Sequence, residues 1–267
     1  MNKSLSELAQ RRLARAAATV HSLEEAQAFI DRAGFVPFSP LPECELPSFS
    51  EALASEVQDE LWGWKDSLPG TRAVYYGHVF RPPGWSARPG FVSLPLLADL
   101  YSLAPITQFG GDRAMLPRWA HLSRDAENIT NAIEESGALP TRELRKITHL
   151  DGKTNATRFE RALIEAQQHF LIVKIGITST TRANYGYVWD LFERVFPAVV
   201  EQANGIEPRD AAERIVKAYV ANALVIAPQH IAAALGLDEK LIVEAARHLV
   251  QEGALQEQEQ NLVHPEG

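Results

Sequence analysis

Apolar positions recur at helical spacing along most of this chain, interrupted by short runs of strand character. Residues 23–33, LEEAQAFIDRA, place Leu23, Ala26, Phe29, Ile30 and Ala33 on one face. Ser22 ahead of Glu24 and Glu25 supplies a cap, and Gly34 a stop. An earlier helix is expected from a Ser4 cap to about Thr19, with Leu5, Leu8, Leu13 and Ala16 near one face. After Ala33 the pattern changes. AGFVPFSP (33–40) reads as a helix stop, a short hydrophobic strand and a proline exit, and Pro40, Pro42 and Pro47 make 39–50 irregular. A helix is expected from about Ser50 to Leu61. RAVYYGHVF (72–80) and GFVSL (90–94) have strand character, and the second leads into an apolar helix through Tyr101. The Gly- and Pro-containing stretch APITQFGGDRAMLP (104–117) is the best candidate boundary.

The second half is more regular. A helix is expected over 125–136, ended by Gly137, then a short helix in LPTRELRKIT (139–148) with Thr141 as its cap. After a DGKTN turn, ATRFERALIEAQQ (156–168) forms a third helix with Phe159, Leu163 and Ala166 inward. HFLIVKIGI (169–177), the polar tip TSTTRANYG (178–186) and YVWDLF (187–192) form a hairpin. Helix, helix, turn, helix, hairpin is the winged-helix form of the helix-turn-helix. The order returns in shorter form: helices in 210–224, 227–237 (ended by Gly236) and 238–253 (capped by Asp238), then a hairpin in 254–264. The expected fold class is α+β and mainly helical, with tandem winged-helix units and an N-terminal α/β part. The expected domains are an N-terminal α/β domain at 1–115, a winged helix at 120–200 and a winged-helix-like module at 208–267.

Composition narrows the chemistry. The net charge of −8 over 267 residues gives no long-range attraction for nucleic acid, so DNA contact requires a local basic patch. The single cysteine, Cys44, excludes a disulfide framework or a Cys-rich zinc site. No two of the eight histidines share the i, i+4 spacing of a helical metal pair, and no phosphate loop, nucleophile elbow or dinucleotide fingerprint appears. The expectation is therefore no metal and no cofactor. No apolar run reaches the ~20 residues of a membrane span, and the first residues lack the apolar core of a secretory signal. A cytoplasmic protein is expected.

In a winged helix the third helix enters the major groove and the hairpin tip meets phosphate or the minor groove. The candidate DNA contacts are Lys153, Thr154 and Asn155 in the turn before that helix and Thr157, Arg158 and Arg161 on it, with Arg182 and Asn184 at a tip also rich in Thr and Ser. The alternative is that the wings only pack or bind a partner protein. The final unit, with Asp238, Glu239 and Glu244 on its third helix and an acidic hairpin, suits packing better than phosphate contact. In LWGWKD (61–66) and YYGHVF (75–80), Trp62, Trp64, Tyr75 and Tyr76 are candidates to stack on an unstacked base, with Lys65 on a phosphate; equally, these rings suit the core of a small domain and its rim. Glu56, Asp59 and Glu60 are neighbouring carboxylates that can activate water or simply face solvent.

Taken in order, LEEAQAFIDRAGFVPF, WGWK, YYGHVF, GFVSLPLLADL, LPTRELRKI, FERALIEAQQ, YGYVW and ERIVKAYVANALVIAPQHIAAALGL resemble the AlkZ-like family of crosslink-repair, winged-helix DNA glycosylases, most closely its short AlkZ-related members. The resemblance implies winged-helix units in tandem around a DNA-binding face, double-stranded and possibly damaged DNA as partner, and hydrolysis of the N-glycosidic bond of an alkylated base. Active members resemble one another in carrying Gln-x-Gln or Gln-x-Asp just after the Gly that ends the early helix. Here those positions fall on Pro37 and Ser39, with Phe38 between. Proline has no side-chain acceptor for a water, and serine is short and neutral, so the resemblance implies a DNA-binding scaffold without base excision. The alternatives are an active glycosylase whose water is held by Glu56 or Asp59 near the tryptophans, and a winged-helix regulator.

Overall fold

The computed structural model describes residues 20–41, 44–104, 107, 122–179, 181, 185–223, 225–258 and 261–263. The expected helix up to Thr19, most of the expected boundary at 104–117, Arg182 and Asn184 lie outside the described residues.

Three units follow one another, and each repeats the order helix, short strand, helix, helix, hairpin. In the first, Ser22 accepts a hydrogen bond from the Glu25 amide and starts α1 (Leu23–Ala33). Gly34 ends it at φ 77°, in the region that favours glycine, where an added Cβ would strike the Leu96 side chain. β1 (Phe35–Pro37) follows. The helix expected from Ser50 to Leu61 is instead three pieces: α2 (Phe49–Ala52), a 3-10 turn over Ser55–Glu60 and α3 (Leu61–Gly70). The break has a cause. Leu53 is extended, and the chain there pairs with Val20, whose amide donates to the Ala52 carbonyl at 3.2 Å. β2 (Val74–Phe80) and β3 (Arg88–Ser93) complete a sheet of order β1-β3-β2, and α4 (Leu94–Ser102) leads away.

The second unit contains α5 (Arg124–Ser136), β4 (Leu139–Pro140), α6 (Thr141–Ile147), a 3-10 turn over Lys153–Asn155, α7 (Ala156–Gln168), β5 (Ile172–Ile177) and β6 (Tyr187–Leu191), with sheet order β4-β6-β5. Thr141 does not cap α6. Its hydroxyl donates to the Tyr187 carbonyl and accepts from the Trp189 indole at 2.9 Å, tying the helix to β6. Two short helices, α8 (Phe192–Val195) and α9 (Pro197–Ala203), connect to the third unit. There, α10 (Pro208–Ala223), β7 (Val225–Ile226), α11 (Pro228–Leu235), α12 (Glu239–Gln251), β8 (Gln256–Gln258) and β9 (Asn261–Val263) repeat the order, again with the first strand against the third. The N-terminal α/β part thus carries the same topology as the two units expected to repeat.

One apolar core runs through all three units, joining Phe35, Tyr75 and Phe80 with Phe170 and Phe192 and with Tyr219 and Ile242. A second lies between α1, α2 and the first sheet, and a third inside the second unit. Arg214 on α10 is bidentate to the buried Asp99 on α4 at 2.6–3.0 Å.

Candidate functional site

β1 runs antiparallel to β3, with Pro37 opposite Gly90. The chain then stays tied down: the Phe38 amide donates to the Pro89 carbonyl and the Ser50 amide to the Phe38 carbonyl, each at 3.1 Å. Pro37 is buried and Ser39 is exposed. The Phe38 ring is buried against Trp62 at 5.2 Å, Tyr76 at 6.2 Å and Phe49 at 6.5 Å. Neither proline nor serine offers a carboxylate or amide here. Glu56 sits on the exposed 3-10 turn with its Oε1 2.6 Å from His21 Nδ1. Backbone hydrogen bonding, helped by His21, holds its pKa below the ordinary value, so it stays ionised and engaged. Asp59 is exposed on the same turn.

Behind Trp62 lies a cluster that the sequence pattern does not disclose. α3 packs its inner face on the hairpin of the second unit and brings Lys65 and Asp66 to Lys174 of β5, Tyr187 of β6 and Tyr185 at the hairpin tip. Both lysines are 2% exposed. Lys65 Nζ donates to Tyr187 Oη at 2.8 Å and Tyr185 Oη at 3.2 Å and pairs with Asp66 at 2.9 Å. Lys174 Nζ pairs with the same carboxylate at 2.7 Å, and the Tyr185 hydroxyl donates to its other oxygen at 3.0 Å. Rings enclose the ammonium groups: Lys65 lies over Trp62 and Tyr187, and Lys174 over Tyr76 and Tyr187, at 4.4–5.1 Å.

Among the described residues two ammonium groups share one carboxylate, so the cluster formed by Lys65, Asp66 and Lys174 has one net positive charge. Burial alone would raise the Asp66 pKa, but Lys174 and Lys65 outweigh it and hold the carboxyl below its ordinary value. Burial, with Lys65 alongside, pushes Lys174 down to about 8 against the opposing pull of Asp66. Burial also raises Tyr76 and Tyr185, keeping both phenols protonated.

These positions revise the base-stacking set. Trp62 is 63% exposed, whereas Tyr76 is buried among Phe38, Phe91 and Lys174. Trp64 is half-buried on the second core. Tyr75 is fully buried among Phe170, Phe192 and Phe196, so it is a core residue. Lys65 does not reach outward to a phosphate; it is locked in the cluster.

On the second unit, Lys153 and Thr154 are exposed on the 3-10 turn and Thr157, Arg158 and Arg161 along the start of α7, and Asn155 is half-buried. Two of the six are engaged within the chain. Arg158 is bidentate to Asp125 at 2.9 and 3.1 Å, and the Asn155 side chain donates to the Asp151 carbonyl at 3.1 Å. Among the described residues no group of three His, Cys, Asp or Glu is placed to hold a metal ion, and no helix is long and apolar enough to cross a membrane.

No curated protein matches the sequence. Among solved structures, the Streptomyces sahachiroi DNA glycosylase AlkZ is similar over 100% of this chain and 71% of its own, with a TM-score of 0.57 and 15% identity, a likeness of fold. The family model described as "AlkZ related" matches residues 20–236, most of the chain. This chain therefore belongs to the AlkZ-related family.

Proposed function

We propose that this is a cytoplasmic protein that binds double-stranded DNA through its winged-helix units and has lost the base excision of glycosylases with this fold. The observation that carries the reading is the Pro37-Phe38-Ser39 position itself. Hydrolysis of an N-glycosidic bond develops positive charge on the sugar, which a site stabilises with carboxylates or aligned acceptors while holding a water. Here the corresponding stretch presents a buried proline, a buried ring and an exposed hydroxyl. Trp62, against which Phe38 packs, lies under the Lys65 ammonium, which adds positive charge near this stretch. The side chains of Pro37, Phe38 and Ser39 carry no charge with which to stabilise a cationic transition state.

Duplex containing 7-methylguanine, incubated with excess protein, is expected to release no base above the uncatalysed background. Release abolished by Glu56→Gln or Asp59→Asn would instead establish the enzyme with a displaced water-holding group.

DNA contact is proposed for the Lys153–Asn155 turn and the exposed start of α7, with Arg182 and Asn184 of the sequence-predicted hairpin tip as further contacts. Arg158 is already paired to Asp125, which leaves Lys153 and Arg161 as the cations whose substitution tests the contact most directly. Lys153→Ala with Arg161→Ala is expected to weaken duplex binding uniformly across sequences and to reduce the salt slope by about 2, one for each phosphate contact. An unchanged slope in a salt titration overturns the assignment. The third unit, whose α12 packs on α10 and α11, is proposed as a packing module.

A further inference from the structure

The described residues leave four large hydrophobic side chains exposed, and two of them, Trp62 at 63% and Tyr185 at 42%, meet the same buried ammonium. Lys65 Nζ lies 5.1 Å from the Trp62 ring centre and 5.9 Å from that of Tyr185. The two rings come from different units, one on the third helix of the first and one on the hairpin tip of the second, and Lys65 and Asp66 hold them together. Exposed aromatic faces grouped at one place on a surface can serve as an interaction site, and every base has a π face that stacks on them. From this geometry we infer that Trp62 and Tyr185 form a stacking surface for one unpaired nucleobase of bound DNA, selective for neutral over cationic bases. The inference rests on the DNA-binding reading and adds to it the form of nucleotide and its charge.

The selectivity follows from what lies behind the rings. A π face attracts cations because its quadrupole is negative there. With Lys65 already over the Trp62 ring, and one net positive charge in the Lys65–Asp66–Lys174 cluster, a second cation stacked nearby meets repulsion. A neutral purine meets only the dispersion and stacking gain that an aromatic platform offers any base. A base already unpaired is favoured because it has no pairing to lose.

The test compares the full chain on three duplexes of one sequence at one salt concentration: fully paired, with a single bulged adenine, and with a bulged 1-methyladenine, which is cationic at neutral pH. The adenine bulge is expected to bind about tenfold more tightly than the paired duplex, the equivalent of about 1.4 kcal/mol. Trp62→Ala is expected to bring that ratio close to one, and Tyr185→Leu to reduce it. The ring of Trp62 is mostly exposed, so Trp62→Ala should fold, and an unchanged thermal midpoint checks this; Trp62→Phe should keep part of the preference. The methylated bulge is expected at least about threefold below the adenine bulge. Tight binding of all duplexes without a bulge preference, or a preference that survives Trp62→Ala, overturns the stacking inference and leaves the duplex-binding reading standing. A methylated bulge bound as tightly as adenine overturns the charge selectivity. No binding to any of the three removes both readings.

Discussion

Asp66→Ala loses about 3–5 kcal/mol of unfolding free energy at pH 6, the range for removing one partner of a buried charge pair, read from urea denaturation. The carboxylate joins Lys65, Lys174 and the Tyr185 hydroxyl within 3.0 Å, so its removal strands two ammonium groups that are 2% exposed. The loss shrinks as pH rises. Lys174 titrates at about 8 in the folded protein, and without Asp66 it sheds its proton more readily still, which relieves the repulsion. Lys174→Met should do the opposite of Asp66→Ala. It leaves Lys65 and Asp66 as a balanced pair and replaces the surplus charge with a side chain of similar length, so stability is unchanged or higher at pH 7. The sign of the pH dependence provides a second check. Lys174 has a folded pKa below its unfolded value of 10.5, so between about pH 8 and 10 the unfolded chain binds more protons and stability rises with pH. That contribution should vanish in Lys174→Met. A Lys174→Met protein less stable than the parent by the same amount as Asp66→Ala would show that the cluster is simply a structural network. A cluster that holds an uncompensated charge against stability, directly behind two exposed rings, is what a binding site looks like when local rules are broken for function.

The sequence pattern carried the helices well because their apolar faces repeat at 3.6 residues over three or more turns. α7 and α12 begin within a residue or two of where the spacing places them, and Asp238 caps α12 through the Leu241 amide as expected. The repeat in the first unit stayed hidden for physical reasons. β4 and β7 are two residues long and β1 is three, too short for an alternation to register. In the first unit the proline-containing stretch 38–48 separates β1 from α2, and the Val20 bridge then splits the following helix. The site was legible only in part. The Pro37-Phe38-Ser39 departure is visible in sequence, and Trp62 could be singled out from its neighbours. The charge cluster could not, because its partners lie far apart along the chain: Lys174 meets Asp66 across 108 positions and Lys65 meets Tyr187 across 122. The one local signal was a lysine in the middle of an otherwise apolar strand, IVKIGI, where a buried charge requires a partner. Arg158 shows the converse. Its type and exposure suited phosphate, but Asp125, 33 positions earlier, already occupies it.

Gly90→Ala is expected to lose at least about 3 kcal/mol, beyond the usual range for overpacking because the obstruction is backbone. Gly90 occupies the middle of the first sheet, opposite Pro37 on β1 and Gly77 on β2. A methyl group there would run into the Phe80 ring and come within 2.6 Å of the Val36 carbonyl oxygen. Phe80 is fully buried in the core shared by the three units and has little room to retreat, and the Val36 carbonyl belongs to the strand carrying Pro37. The accommodation left is for β1 to move away from β3. That would free Pro37 and Phe38 from their positions, break the hydrogen bond from the Phe38 amide to Pro89, and withdraw Phe38 from beneath Trp62. Gly176→Ala, in β5 with open space where its methyl would go, is the matched control and should fall within about 0.5 kcal/mol of the parent. Denaturant midpoints and tryptophan emission measure the two variants side by side. A Gly90→Ala protein within 1 kcal/mol of the parent would mean that β1 can shift at little cost, and that the Pro37-Phe38-Ser39 stretch is free to rearrange around a bound nucleotide. The expected large loss means that the sheet holds this stretch rigidly, so its lack of a carboxylate or amide cannot be repaired by local movement.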